Sequence, residues 1–168
     1  MSPRRLACLV ASVVTLHNLE EALTFQSCFP LIQSRLLITL QPWLGQVSAG
    51  AIYFGLAVAT IIPWAVAWWS MRQPSNMFAR WLVLLVQAVV LVNVFWHVFV
   101  AEGLLRGYAP GLVTAMIVNL PASMYVFHRV AGERWFSRVA LLGLMPAALF
   151  VHGPVLIAVI YFGARIAG

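Results

Sequence analysis

Residues 81–101 read WLVLLVQAVVLVNVFWHVFVA, with no Asp, Glu, Lys or Arg. About 20 apolar residues carry a helix across the hydrocarbon core of a bilayer, so this stretch is long enough to span one. Four further stretches qualify: Leu6 to Phe25, Val47 to Trp69, Pro110 to Phe127 and Val139 to Phe162. Alternation with a period of two residues is absent, which excludes a barrel and leaves helices. The expected fold is all-α, a polytopic transmembrane bundle of five helices forming a single domain over residues 1–168.

The composition of the whole chain agrees. Apolar residues make up 63% and charged residues 8%, and mean hydropathy is +0.95. A soluble domain carries roughly 45–50% apolar and about 25% charged residues, so this chain lacks the polar surface to cover a water-soluble body. A soluble enzyme, a nucleic-acid-binding module and a disordered tail are excluded. The net charge of +6 does not point to a nucleic-acid partner, because the arginines lie singly and in pairs between apolar runs.

That scatter follows the positive-inside rule. With the N-terminus inside, the inner segments hold Arg4, Arg5, Arg72, Arg80, Arg129, Arg134 and Arg138, and the outer ones Arg35, Arg106 and Arg165. N-in and C-out is therefore expected, in a multi-pass protein of a bacterial inner membrane. Trp68, Trp69, Trp81 and Trp135 fall at inner ends and Trp43 at an outer end. The first hydrophobic run lacks a small-residue cleavage site and is read as a retained helix. Cys8 and Cys28 would sit roughly 30 Å apart along a helix, too far to bridge. In the long connection from Gln26 to Gln46, the residues Leu31, Ile32, Leu36, Leu37, Ile38 and Leu40 surround Gln33, Ser34 and Arg35. This pattern predicts a short amphipathic helix in the outer interface.

Ionisable groups inside a membrane are expensive and mark a partner or a task. Threading places most of them at one depth. His17, Glu20 and Glu21 fall in the outer third of the first helix, Asn93 and His97 in the outer half of the third, and His152 past the middle of the fifth. A helical residue advances about 100° per position, so Glu20 lies about 60° to one side of His17 and Glu21 about 40° to the other. Asn93 and His97 share a face at i, i+4. Glu102 points elsewhere, and His128 and Glu133 belong to the inner boundary. Gln87 and Asn119 read as polar contacts between helices.

Three short motifs stand in order along the chain, in a resemblance that covers most of it: His17-Asn18-Leu19-Glu20-Glu21, Asn93-Val94-Phe95-Trp96-His97 and Tyr108-Ala109-Pro110-Gly111. As HxxEE, NxxxH and YxPG they resemble the HXXEE family of integral membrane proteins. The resemblance implies that the motifs together form a site, one taken to suggest an enzyme, and it implies no substrate. Including His152 in that site rests on the threading alone.

Imidazoles and carboxylates from facing helices are a usual way to build a metal site in a bundle. The expected function is a metal-dependent intramembrane hydrolase acting on a lipid or other apolar substrate. A divalent ion, zinc with iron as the alternative, would be held by His17, His97 and one of Glu20 or Glu21, with His152 as a further ligand. The spare glutamate would act as general base, Asn93 would orient a ligand or substrate, and Tyr108 would donate to the transition state. HxxEE also resembles the inverted zinc-protease motif HxxEH with its last histidine replaced. The alternatives are a di-iron oxidoreductase, a transporter or proton relay, and a metal-free accessory subunit. Membrane lipid is the expected surrounding partner, and a homo-oligomer or larger complex is compatible with the composition. Reporter fusions in the Arg72–Arg80 and Arg129–Arg138 segments should read inside; an outer signal from either overturns the threading.

Overall fold

The computed structural model describes residues 2–38 and 47–167. Among them there is no strand. Helix α1 runs over Pro3–Ile32 and passes into a π-helical turn at Gln33–Leu37. Helix α2 covers Ala49–Arg72. Helix α3 covers Met77–Phe99 and widens into a π turn at Val100–Leu105. Helix α4, residues 112–132, is interrupted by a π turn at Ala115–Asn119. Helix α5, residues 138–167, is interrupted at Gly143 and carries a π turn at Val151–Val155.

Four helices are long and apolar enough to cross a membrane: Pro3–Arg35, Ala49–Arg72, Met77–Leu105 and Val139–Ile166. Large apolar side chains point away from the protein along them. Leu23 is 74% exposed, Ile61 66%, Phe95 62% and Leu142 74%. A water-soluble monomer does not expose so much apolar surface, and hydrocarbon is the medium that accepts it.

The helix starts follow from local chemistry. An N-cap side chain accepts from a free backbone N–H of the first turn. Ser2 Oγ accepts from Arg5, Ser48 Oγ from Ala51, Asn76 Oδ1 from Ala79 and Ser137 Oγ from Ala140. Helix α4 begins instead on Gly111, which offers no side chain.

The first helix differs from the sequence expectation. It does not stop at Phe25, and residues 26–37 continue it in place of a separate interfacial helix. Three features carry it on. Ser27 and Ser34 hydroxyls donate back to the Thr24 and Leu31 carbonyls. Phe25 and Ile32 pack with Ala51 of α2 and with Val100 and Leu105 of the α3 turn. Arg35 Nη1 donates to the Leu104 and Leu105 carbonyls at 2.7 and 3.4 Å, closing the wide end of that turn. Leu40 and Trp43, the rest of the expected interfacial segment, lie outside the described residues. Helix α4 starts after Pro110 and Gly111, not with them.

Two apolar clusters mark the two ends of the bundle. One joins Leu6 and Val10 of α1 to Leu84 of α3, Val126 and Val130 of α4 and Leu144 of α5. The other joins Phe25 and Ile32 to Ala51, Val100, Leu105 and Ala109. Along their helices, His17, Asn93 and His97 lie between them. Helix α5 meets α2 through small residues, as helices do where lipid offers no hydrophobic drive. A Cβ on Gly163 would lie 2.9 Å from Phe54 Cδ1 and 3.1 Å from the Ala51 carbonyl oxygen. Gly163→Ala should therefore push α5 off α2 and destabilise the fold by about 1–3 kcal/mol. Thermal unfolding in detergent reads this, with Gly132→Ala as the control because its Cβ would meet nothing within 4 Å.

Candidate functional site

On α1, the i, i+4 spacing puts His17 and Glu21 on the face turned to α3, and both motif histidines are buried. His17 is 3% exposed and His97 5%. Their Nε2 atoms lie 3.1 Å apart, with the rings edge-on at 75°. Glu21 Oε2 is 3.7 Å from His17 Nε2 and 3.9 Å from His97 Nε2. The HxxEE motif on α1 and the NxxxH motif on α3 thus bring three side chains together.

The neighbours assign the tautomers. Thr114 Oγ1 donates to the Gly111 carbonyl at 3.3 Å, so it accepts from His17 Nδ1–H at 2.9 Å. That leaves a lone pair on His17 Nε2, which accepts from Asn93 Nδ2 at 2.7 Å. The Asn93 Oδ1 in turn accepts from His152 Nε2–H at 2.8 Å. For His97, the Pro110 carbonyl is the backbone acceptor. The two Nε2 atoms stand within hydrogen-bond distance of each other, with the Glu21 carboxylate beside them. Ring nitrogens and a carboxylate gathered in this way are a donor set for a cation.

His17, Glu21 and His97 are the one group among the described residues whose ligand atoms converge as a metal site requires, all within 4.8 Å of one another. Nitrogens 3.1 Å apart can both reach an ion at about 2.0–2.1 Å, and the carboxylate oxygen reaches it after a small rotamer change. The residues present fit a metal ion. An ion here competes with the Asn93 amide for the His17 lone pair. The Thr114 hydroxyl and Pro110 carbonyl are the kind of outer partners that orient histidine ligands.

The other expected ligands are placed differently. His152 sits behind Asn93, with Trp96 6.2 Å from its ring, and so positions the amide. Glu20 faces the start of α4. Its Oε1 accepts from Tyr108 O–H at 2.5 Å and from Val113 N–H at 3.2 Å, and its Oε2 from Thr114 N–H at 2.6 Å. Glu20 is thus the missing N-cap of α4, supplied by a neighbouring helix, and a carboxylate is favoured there by the helix dipole. Both its oxygens are engaged there, and Glu21 is the carboxylate on the imidazoles. Burial and the Glu20 carboxylate push the Tyr108 hydroxyl above the ordinary phenol range, keeping it a donor. Glu102 is exposed in the α3 turn, away from this group.

Gly111 explains the YxPG motif. Its φ is +79°, and a Cβ would stand 2.8 Å from His17 Cε1 and 3.1 Å from His97 Cε1. The backbone passes against both rings, and only glycine fits. Thr114 escaped the sequence reading, although a hydroxyl three residues past YxPG and inside the first turn of α4 was its signal. The π turns flank the site: one follows Thr114, one contains His152 and one begins three residues after His97. Wide turns of this kind gather at functional sites because they re-aim side chains.

Gly111→Ala should strain the loop, by about 1–2 kcal/mol for the left-handed backbone alone, and drive both rings apart. Zinc titration should show binding lost. Tyr108→Phe removes the hydroxyl's contacts with Glu20 and Thr24, about 1.5–3 kcal/mol for a bond to a charged group, and should leave binding within a few-fold of wild type.

Comparison with known proteins matches the chain to a family. A family model described as "Protein of unknown function with HXXEE motif" covers residues 8–126, from α1 into α4. The chain is 24% identical over 124 residues to "Uncharacterized protein YrkK" of Bacillus subtilis (strain 168), an alignment covering 70% of this chain and 69% of that protein. No solved structure matches. The matched region contains all three motifs, whose side chains and backbone close around His17, and the chain belongs to the HXXEE family.

Proposed function

We propose that the protein is an intramembrane metal-dependent enzyme, a hydrolase acting on a lipid or other apolar substrate. The observation that carries this reading is the convergence of two buried Nε2 atoms, 3.1 Å apart, with the Glu21 carboxylate. Keeping these polar groups together in an apolar medium is costly and marks a partner or a task. Two imidazoles and one carboxylate suit zinc, with iron as the alternative. Because Glu20 and Glu102 are directed elsewhere, the donor set suits a single ion over a di-iron pair.

The roles of the side chains follow from their contacts. His17 and His97 hold the ion, with ring orientations fixed by Thr114 and Pro110. Glu21 lies on the open side, where it completes the ligand set or takes a proton from water. A bound divalent ion supplies Lewis acidity and lowers the pKa of its water toward about 7. Asn93, set by His152, presents an amide donor beside the His17 nitrogen, where it can orient a substrate carbonyl. Tyr108 is 40% exposed and stands with Glu20 at the rim, the side from which a substrate would enter from the membrane.

The arginines suggest the setting. The end of the bundle marked by Leu6 and Val130 carries Arg4, Arg5, Arg72, Arg80, Arg129, Arg134 and Arg138, and the other carries Arg35, Arg106 and Arg165. This supports an N-in, C-out protein of five crossings in a bacterial inner membrane, its site in the outer half. A second reading, proton transfer, draws support from the unbroken chain His152–Asn93–His17–Thr114.

Metal analysis of purified protein tests the proposal. Wild type should carry about one equivalent of transition metal. His17→Ala and His97→Ala should lose it while remaining folded, whereas Glu20→Gln should keep it and lose about 1.5–3 kcal/mol of stability, as expected for a hydrogen-bonded charge. Absence of metal from wild type, or equal content in wild type and His17→Ala, removes the metal-enzyme reading.

A further inference from the structure

A second buried polar row begins where the site ends. Thr114 holds the His17 ring from the first turn of α4. The π turn at Ala115–Asn119 then widens the helix, and the Leu120 N–H bonds to the Ala115 carbonyl five residues back. In an unbroken α-helix, a residue five positions on turns away from the first. With the widened turn, Asn119 stays on the buried face below Thr114, and Ser123 follows one α turn further. Asn119 and Ser123 are 0% exposed, and so is Gln87 of α3, which faces them. Gln87 Nε2 donates to Ser123 Oγ at 2.7 Å.

That one bond does not satisfy the row. Among the described residues, Asn119 Nδ2, Asn119 Oδ1 and Gln87 Oε1 are buried without a hydrogen-bond partner. A primary amide with neither end paired, in the interior of a chain this apolar, loses its hydration for nothing in return. Apolar residues of the same size would fill the space without that loss. The unmet set has one donor side and two acceptors, the pattern that water fills, since a buried water makes two to four hydrogen bonds to polar neighbours. Val90 of α3 and Val118 and Ala122 of α4, neighbours of the row in sequence, belong to one small apolar cluster.

We propose that Asn119, Gln87 and Ser123 bind a short file of water. The file extends from the Thr114–His17 contact toward the end of the bundle marked by Val126 and Val130. The π turn is the device that makes it continuous, because it aligns Thr114 with Asn119. Water or a proton thereby reaches the back of the histidine pair through the protein, separately from the lipid-facing rim at Tyr108. This holds whether or not the site hydrolyses a substrate.

X-ray hydroxyl-radical footprinting of the full chain in phosphatidylcholine nanodiscs, in ¹⁸O-enriched water, tests it. Radicals formed from bound water label the side chains beside it. Val90 and Val126 should be labelled several-fold more than Val10 and Val100, which are comparably buried in apolar clusters. Asn119→Leu should reduce labelling at Val90 and Val126 several-fold while leaving metal content and folding intact. Gln87→Met is the second variant, with the same expected loss. If neither variant folds, the wild-type ratio alone decides. Labelling of Val90 and Val126 no greater than that of Val10, or unchanged in a folded Asn119→Leu protein, overturns the proposal. Metal content is read separately, so failure of the water file and failure of the metal site give different results.

Discussion

His17 is the point on which the polar architecture hangs. Each ring nitrogen is engaged: Nδ1 with Thr114 of α4, and Nε2 with Asn93 and His97 of α3. A helix in hydrocarbon gains nothing from burying apolar groups against another, since lipid serves equally well. A buried imidazole has no such indifference, because any unmet nitrogen is costly there. One side chain therefore sets the depth of three helices relative to each other, and Asn93 passes the constraint to His152 and α5.

The two adjacent glutamates show how one motif performs two tasks. Glu21 follows His17 by one turn and joins the imidazoles. Glu20, one residue earlier, swings to the side and caps a helix that has no cap of its own. The cap fixes the loop through Gly111, and Gly111 lets the loop pass against both rings. HxxEE and YxPG are thus one mechanical unit: without the Glu20 carboxylate, the first turn of α4 would have free N–H groups next to the histidines. A di-iron bundle uses four carboxylates, and here a single one faces the imidazoles.

Where the sequence was readable, the reason was cost. Residues 81–101 had to be a spanning helix, since no other structure hides so many apolar groups and satisfies the backbone. His17, Glu21, Asn93 and His97 stood out because polar groups rarely sit inside such runs. Thr114 did not, because a threonine can return its hydroxyl to its own helix and passes at little cost. The continuation of α1 through residues 26–37 was hidden by its polar composition, which resembles an interfacial segment. What holds it is packing and the Arg35 contact with the α3 turn, neither of which is local.

The sequence by itself determined the all-helical, membrane-like character of the chain, four helices long and apolar enough to span (the expected stretch from Pro110 to Phe127 is not among them), and the set of residues that had to find partners, because hydropathy and desolvation act on each segment alone. Tertiary structure decided which partner each one found. Helical periodicity left Glu20 and Glu21 equivalent to within a few tens of degrees, and only the position of α4 sent one to a helix start and the other to the histidines. The π turns were likewise invisible in the pattern of residues, since they arise where neighbouring helices pull side chains into a common register.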